Sequence, residues 1–362
     1  MFLGFGEIMM RVGAGGHARF RQTIPGYVEA TFGGGEANVC VSLAMFGRPA
    51  RYLTALPRHS ISQCLVATLR GIGVQTDDIL WRDEGRLGIY FVETGADQRG
   101  STVLYDREHS AVSLAAPDEY DFAAALDGVD WVHVTGITPA ISENGFLSTL
   151  ELVTLAKQHG ASVSCDLNFR QKLWKWKTGA PNQELATQCM SEILPHVDLV
   201  IGNEEDAAIV LGIHAEGTAV EEGRINAQAY EQVARRIVDR FGNVSKVAIT
   251  LRESISADQN NWGGMLFDVA ADRTYLAPLS CDGRYQPYRI HDIVDRVGGG
   301  DSFAAGLLHG LTSPEYGEPD SAIRFAVAAS CLKHSIKADF NYVAKEEVAA
   351  LAAGSITGRV QR

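Results

Sequence analysis

The sequence predicts an α/β fold, a doubly wound and mainly parallel sheet carrying a small β-rich lid. Three observations predict it. Short β-branched runs alternate with amphipathic helical stretches along most of the chain. The strand-like runs are apolar on both faces, as expected where helices cover both sides of a sheet. Two stretches, about 11–35 and 84–110, break the alternation.

Taken in order, residues 11–35 are rich in glycine and hold no helical period. The segment GGGEAN (33–38) leads into VCVSLAMFG, where Val39, Leu43 and Phe46 suit a buried helix that stops at Gly47. Ile61, Leu65, Leu69 and Ile72 recur at helical spacing, with Gly71 and Gly73 marking the end. LGIYFVE and STVLYDR then read as two strands around the turn GADQRG. The body resumes with strands at 131–135, 162–166, 198–201 and 246–251, and with helices at 143–158 and 228–241. The whole chain, 1–362, reads as one domain with a discontinuous lid. Such a flap could close over a ligand and exclude water, or merely shield a sheet edge; periodicity leaves both open. Its exposed edge also offers a surface for pairing with a second copy.

Composition removes several function classes. Of 362 residues, 46% are hydrophobic and 21% charged, with 32 Lys and Arg against 44 Asp and Glu, a net charge of −12. A nucleic-acid binder needs a basic surface, and no dense Lys/Arg run exists. No apolar stretch approaches the roughly 20 residues that span a bilayer. The six cysteines are scattered, without zinc spacing or a disulfide framework, and the N-terminus lacks a secretion signal. A cytoplasmic protein is expected.

The most informative segment is 295–311, DRVGGGDSFAAGLLHGL. Three glycines precede Asp301, and Phe303, Leu307 and Leu311 repeat every four residues, so a glycine turn feeds a helix. Amides at Gly299, Gly300 and Asp301 would point out of the helix start, where an anion is favoured. The Asp301 carboxylate could accept a proton from an alcohol undergoing phosphorylation. A base and an anion hole together are what phosphoryl transfer requires. An N-capping aspartate after a flexible loop would look the same. The helix start would also stabilise the carboxylate and weaken it as a base. GGGEAN permits close backbone approach to substrate hydroxyls, with Asn38 as hydrogen-bonder, but also fits a plain loop–helix junction. No Walker A is present, and GAGGHA (13–18) matches GxGxxA without the helix that a dinucleotide site needs.

GGGEAN and DRVGGGDSFAAG together resemble the two signatures of the ribokinase (PfkB) family of carbohydrate kinases. DLNFRQKLW (166–174), GNEEDA (202–207) and KADFNYVAKEEV (337–348) follow in the family's order. Within it, GEIM, GGGEAN, the DLNFRQKLW run and the DFN tail are most similar to 2-keto-3-deoxygluconate kinases. The resemblance spans essentially the whole chain and implies an ATP- and Mg²⁺-dependent sugar kinase. It implies Asp301 as the base, with the amides of Gly298, Gly299, Gly300 and Asp301 holding the γ-phosphate. It places Asn168, Arg170, Asn203, Thr250, Arg252 and Asn341 on the nucleotide side, with Asp206 organising magnesium through water. Asp206 stands where the family usually has Glu, and TLRES replaces TLGxxG. A monovalent cation beside DRVGGGD is a further possibility of the family, but Arg296 replaces the usual Thr there and counts against it.

Substrate choice has a physical side. A ketodeoxy sugar acid carries a carboxylate, for which arginine is a planar, charge-assisted donor. Arg107 lies two residues from Tyr105, hence on the same strand face, and Arg170 follows a strand end, where open α/β sheets bind ligands. Tyr90 adds a hydroxyl from the first lid strand. By the resemblance, Gly34, Gly35, Asn38, Tyr90, Tyr105, Arg107, Arg170 and Asp301 line the sugar-acid site. Arg107 as a solvated surface residue, and Arg170 as a phosphate contact, are the competing readings. Trp131, His133 and Trp262 read as packing residues. The rivals are a kinase of a neutral sugar such as fructose, a non-catalytic sugar-binding relative and, last, a nicotinamide oxidoreductase.

Overall fold

The runs read as strands are buried almost throughout. In Trp131–Thr135 (WVHVT) only Trp131 is partly exposed, and Ser162–Asp166 is similar. The computed structural model describes residues 1–214 and 227–355. There these strands form the middle of a nine-stranded sheet. Its order is Arg273–Ala277, Asn260–Asp268, Lys246–Ser254, Leu199–Gly202, Ser162–Asp166, Trp131–Thr135, Phe2–Phe5, Ala50–Leu53, with Tyr288–Ile290 also on Asn260–Asp268. Pairing is parallel from Ala50–Leu53 across to Lys246–Ser254 and antiparallel beyond it.

Successive residues of one strand feed opposite cores, as the pleat requires. Val200 joins the core that holds helix Glu143–Gln158, whereas Leu199 and Ile201 join the one formed with helices Gly35–Met45, Gly299–Thr312 and Pro319–Lys333. Two covered faces explain the continuous apolar runs.

The lid is a separate four-stranded sheet, ordered Glu29–Gly33, Met9–Gly13, Ile89–Glu93, Thr102–Asp106, with its middle pair parallel. Period-two alternation turns Val103 and Tyr105 inward and leaves Leu104 66% exposed.

Several boundaries differ from the sequence reading. The first lid strand starts at Met9, and residues 11–35 contain one helical turn, Phe20–Thr23. That turn is pinned by Gln22 Oε1, which accepts from the Arg19 amide at 2.7 Å, and by Glu93 Oε1, which accepts from the Phe20 amide at 2.8 Å. One turn is too short to show a period. The strand expected at 198–201 spans Leu199–Gly202, one residue later, and the Asp198 carboxylate before it accepts from the Val163 amide and Lys157. The strand expected at 246–251 continues to Ser254, since Asn260–Asp268 supplies a full-length antiparallel partner. Among the described residues no helix is long and apolar enough to cross a membrane.

Candidate active site

The parallel strands end on one side, and the residues just past those ends converge under the lid, the usual ligand position in such sheets. Glu7, Ile137, Asn168 and Asn203 each follow a different strand. The last three line a cavity of about 460 Å³.

The glycine turn forms one wall. Gly298 caps helix Gly299–Thr312 with φ +85°, and a Cβ there would stand 2.2 Å from the Asp339 carbonyl oxygen, so only glycine fits. The Gly299 amide folds back to the Arg296 carbonyl at 3.3 Å. The Gly300 and Asp301 amides, at the helix start, lie outside the helix's own hydrogen-bond ladder. A Cβ on Gly300 would meet no protein atom within 4 Å. Its smallness therefore leaves room on the cavity side. The half-buried Asp301 accepts a hydrogen bond from Asn38 Nδ2 at 2.6 Å. Burial raises its pKa to about 6, against the Asn38 hydrogen bond. This reverses the expectation that the helix start would weaken it as a base: desolvation outweighs the stabilising contacts.

Gly34 caps helix Gly35–Met45, which carries Asn38 to Asp301. Gly35 is close enough that a Cβ would lie 3.7 Å from the Asp301 carboxylate. Glu36, fully buried behind them, accepts from Thr135 Oγ1 at 2.7 Å and Thr138 Oγ1 at 3.2 Å. It therefore ties this helix to the turn bearing Ile137. Burial pushes its pKa up to about 7.

The lid forms the opposite wall with Met9, Tyr90, Val103 and Tyr105. Arg107 lies just past strand Thr102–Asp106, and it is buried, not solvated. Its Nε donates to Glu7 Oε2 at 2.7 Å, its Nη2 bonds the same oxygen, and its guanidinium lies 5.6 Å from the Tyr105 ring centre. The Tyr90 hydroxyl is already committed to Asp339 Oδ1. Asp339 also accepts from Arg11 Nη1 at 2.9 Å, while Arg11 Nη2 reaches Asp295 at 2.5 Å. This cluster locks the lid to the glycine turn. Asp339 lines the active cavity; Arg11 and Asp295 line a larger one, about 670 Å³, on the other side. The smaller cavity is where the convergent polar groups lie.

The remaining wall is acidic and then basic. Asp166, Asp206 and Asp301 all line the cavity. Burial, then the charges of Asp206 and Asp301, hold the Asp166 carboxyl well above the usual range. Asp206 accepts from the Phe169 amide at 2.9 Å and the Asn203 amide at 3.3 Å, and Asn203 Oδ1 accepts from the Asp206 amide at 2.8 Å. The shorter Asp side chain thus serves as a helix cap. Among the described residues no group of three His, Cys, Asp or Glu is arranged to hold an ion by itself. Arg170 is exposed at the rim. Thr250 and Arg252 lie within the long strand, opposite Gly264 and Trp262. Arg252 and Arg296 both line the cavity, and burial, followed by the Arg252 charge, lowers the Arg296 pKa. Asn341 is off the cavity wall: it is buried, donating to the Ala329 carbonyl at 3.4 Å and accepting from the Val343 amide at 3.2 Å.

Sequence reasoning left out Glu7, Arg11, Glu36, Asp295, Asp339 and Lys333. Only their long-range partners reveal them, since Arg11 and Asp339 are 328 residues apart. Trp262, read as packing, is buried but also lines the cavity, with its ring centre 5.0 Å from that of His334. His133 does pack, bonding Ser164 Oγ at 2.9 Å.

Comparison with known proteins gives the same picture. Residues 5–238 match the family described as pfkB family carbohydrate kinase. The 2-dehydro-3-deoxygalactonokinase of Haloferax volcanii is 28% identical, over 98% of this chain and 97% of its own. The 2-dehydro-3-deoxygluconokinase of Haemophilus influenzae is 27% identical, over 72% and 71%. The crystal structure of a 2-dehydro-3-deoxygluconokinase from Thermotoga maritima is 40% identical and superposes with a TM-score of 0.86, covering 98% of this chain and 99% of that one. On these matches, this chain belongs to the pfkB family of carbohydrate kinases, the ATP-dependent sugar kinases.

Proposed function

We propose that this kinase transfers the terminal phosphoryl group of ATP to the terminal hydroxyl of 2-keto-3-deoxygluconate. The hydroxyl oxygen forms the new bond to phosphorus, its proton passes to the Asp301 carboxylate, and the bond to ADP breaks. Asn38 orients that carboxylate, and the Gly300 and Asp301 amides take up charge on the phosphoryl oxygens. The lid excludes water that would otherwise hydrolyse ATP.

One observation carries the reading: the cavity that holds Asp301 also holds Arg107, whose Nε and Nη2 are fixed by Glu7. Its Nη1 edge is left to meet a carboxylate in a preset orientation, which suits a sugar acid better than a neutral sugar. The relatives named for sugar-acid kinases support the same choice. Arg252 and Arg296, on the far wall, suit the nucleotide phosphates.

The residues also fit magnesium brought in with ATP, because Asp166 and Asp206 form an oxygen-donor wall whose charges a cation would relieve. When bound, the ion supplies charge neutralisation on the phosphate oxygens. Self-association through the lid is supported by strand Thr102–Asp106, an end strand of the lid sheet among the described residues, which carries the exposed Leu104.

The test is ADP release with a panel of both 2-keto-3-deoxy sugar-acid epimers and neutral ketoses. The reading predicts that kcat/KM for the sugar acid exceeds that for fructose by about 10²-fold or more. Equal use of fructose would overturn the substrate assignment.

A further inference from the structure

The resemblance allows a monovalent cation beside the glycine turn, and the residues here do not fit one. The space behind the turn already contains an ammonium group. Lys333, the last residue of helix Pro319–Lys333, is 0% exposed. Its Nζ donates to the Ile336 carbonyl at 3.0 Å. Its Cε lies 3.1 Å from where a Cβ on Gly298 would stand, so the side chain passes directly beneath the turn.

The carboxylates behind the turn already have cationic partners. Asp295, Asp339 and then Asp301 act on Lys333 as attracting charges, and Arg11 is paired with the first two. Asp295 and Asp339 are thus matched by one guanidinium and one ammonium, while Asp301 lines the active cavity. A further cation would leave an uncompensated charge in a dry space, which is costly. Burial lowers the Lys333 pKa to about 8, so the ammonium remains mostly charged at neutral pH. Arg296, where the family usually has Thr, reinforces the point: its Nε and Nη2 hold the carbonyls of Ala257 and Ser256. Those two oxygens already have a cationic donor.

We propose that Lys333 supplies, from within the chain, the fixed positive charge behind the phosphoryl-binding turn, so that this kinase needs no monovalent-cation activator. The proposal rests on the glycine turn being the phosphoryl seat. Lys333 does not touch the reacting atoms; it is a positioning residue that acts through the turn.

The experiment compares wild-type ADP release in KCl, NaCl and choline chloride at equal ionic strength. Thermal midpoints with a non-hydrolysable ATP analogue are measured in the same salts. Both readouts are expected to be the same in all three salts. Lys333→Met should lower kcat by about 10²-fold, the scale of losing one electrostatic contributor. In Lys333→Ala, the vacated volume should make part of the lost rate return with K⁺ and not with choline. A wild-type rate that rises about tenfold when K⁺ replaces choline, or a midpoint raised by K⁺ alone, would overturn the proposal even if neither variant folds. So would a folded Lys333→Met enzyme with undiminished kcat. Absence of ADP release with every sugar in every salt would instead overturn the seat itself, and this proposal with it.

Discussion

Asn38 Nδ2 lies 2.6 Å from Asp301 Oδ2, joining two residues 263 positions apart across the floor of the active cavity. Each stands in the first turn of a different glycine-preceded helix, so the bond fixes one helix start against the other. If Asp301 is the base, Asp301→Asn should lower kcat by about 10²–10⁴-fold with little change in sugar binding. Asn38→Ala, which leaves the carboxylate in place but unoriented, should cost about 10²-fold. Steady-state kinetics with protein of unchanged circular dichroism checks both.

The acid side of the pH profile follows from the same carboxylate. Asp301 must be unprotonated to accept the hydroxyl proton, and burial raises its pKa to about 6. Below that pH the protonated form dominates, so kcat/KM should rise from pH 5 to pH 7 and pass half its plateau near 6. An ordinary exposed aspartate would place that limb near pH 4. A flat profile between pH 5 and 7 would remove Asp301 from the proton transfer.

Two glycines of the turn should respond differently to the same change. A Cβ at Gly298 collides with the Asp339 carbonyl, whereas one at Gly300 meets no protein atom. Gly298→Ala should therefore destabilise the fold. Gly300→Ala should keep the wild-type melting temperature and lose nucleotide affinity and turnover. Melting curves alongside ATP-analogue titrations separate the two.

Arg107 and Glu7 form a buried pair with side chains 8% and 3% exposed. Arg107→Ala strands the Glu7 carboxylate and should cost about 3–5 kcal/mol of stability. Glu7→Gln combined with Arg107→Met should restore most of that loss in urea unfolding, yet leave the preference for sugar acids over fructose abolished. Restored stability with unchanged preference would assign Arg107 to the fold alone.

Strands such as Trp131–Thr135 and Ser162–Asp166, and helix Glu143–Gln158, were legible in the sequence because burial on fixed faces leaves a periodic trace. The glycine turn was legible because close backbone approach restricts residue type. Asp339 carried no such trace. Its role comes from Arg11 and Tyr90, which arrive from the lid some 250 to 330 residues away in sequence. Arg107 was singled out for its charge, but its burial and its Glu7 partner were invisible, since both depend on how the lid folds onto the body. The effect of burial on Asp301 was hidden likewise: a helix start can be read from spacing, whereas desolvation depends on everything packed around it.

A crystal structure with 2-keto-3-deoxygluconate and a non-hydrolysable ATP analogue decides whether Asp301 and the glycine turn meet the reacting groups. The sugar's terminal hydroxyl is expected within hydrogen-bond distance of the Asp301 carboxylate, and the γ-phosphoryl group against the Gly300 and Asp301 amides. A terminal phosphoryl group bound elsewhere in the cavity, with Asp301 facing no sugar hydroxyl, would contradict it.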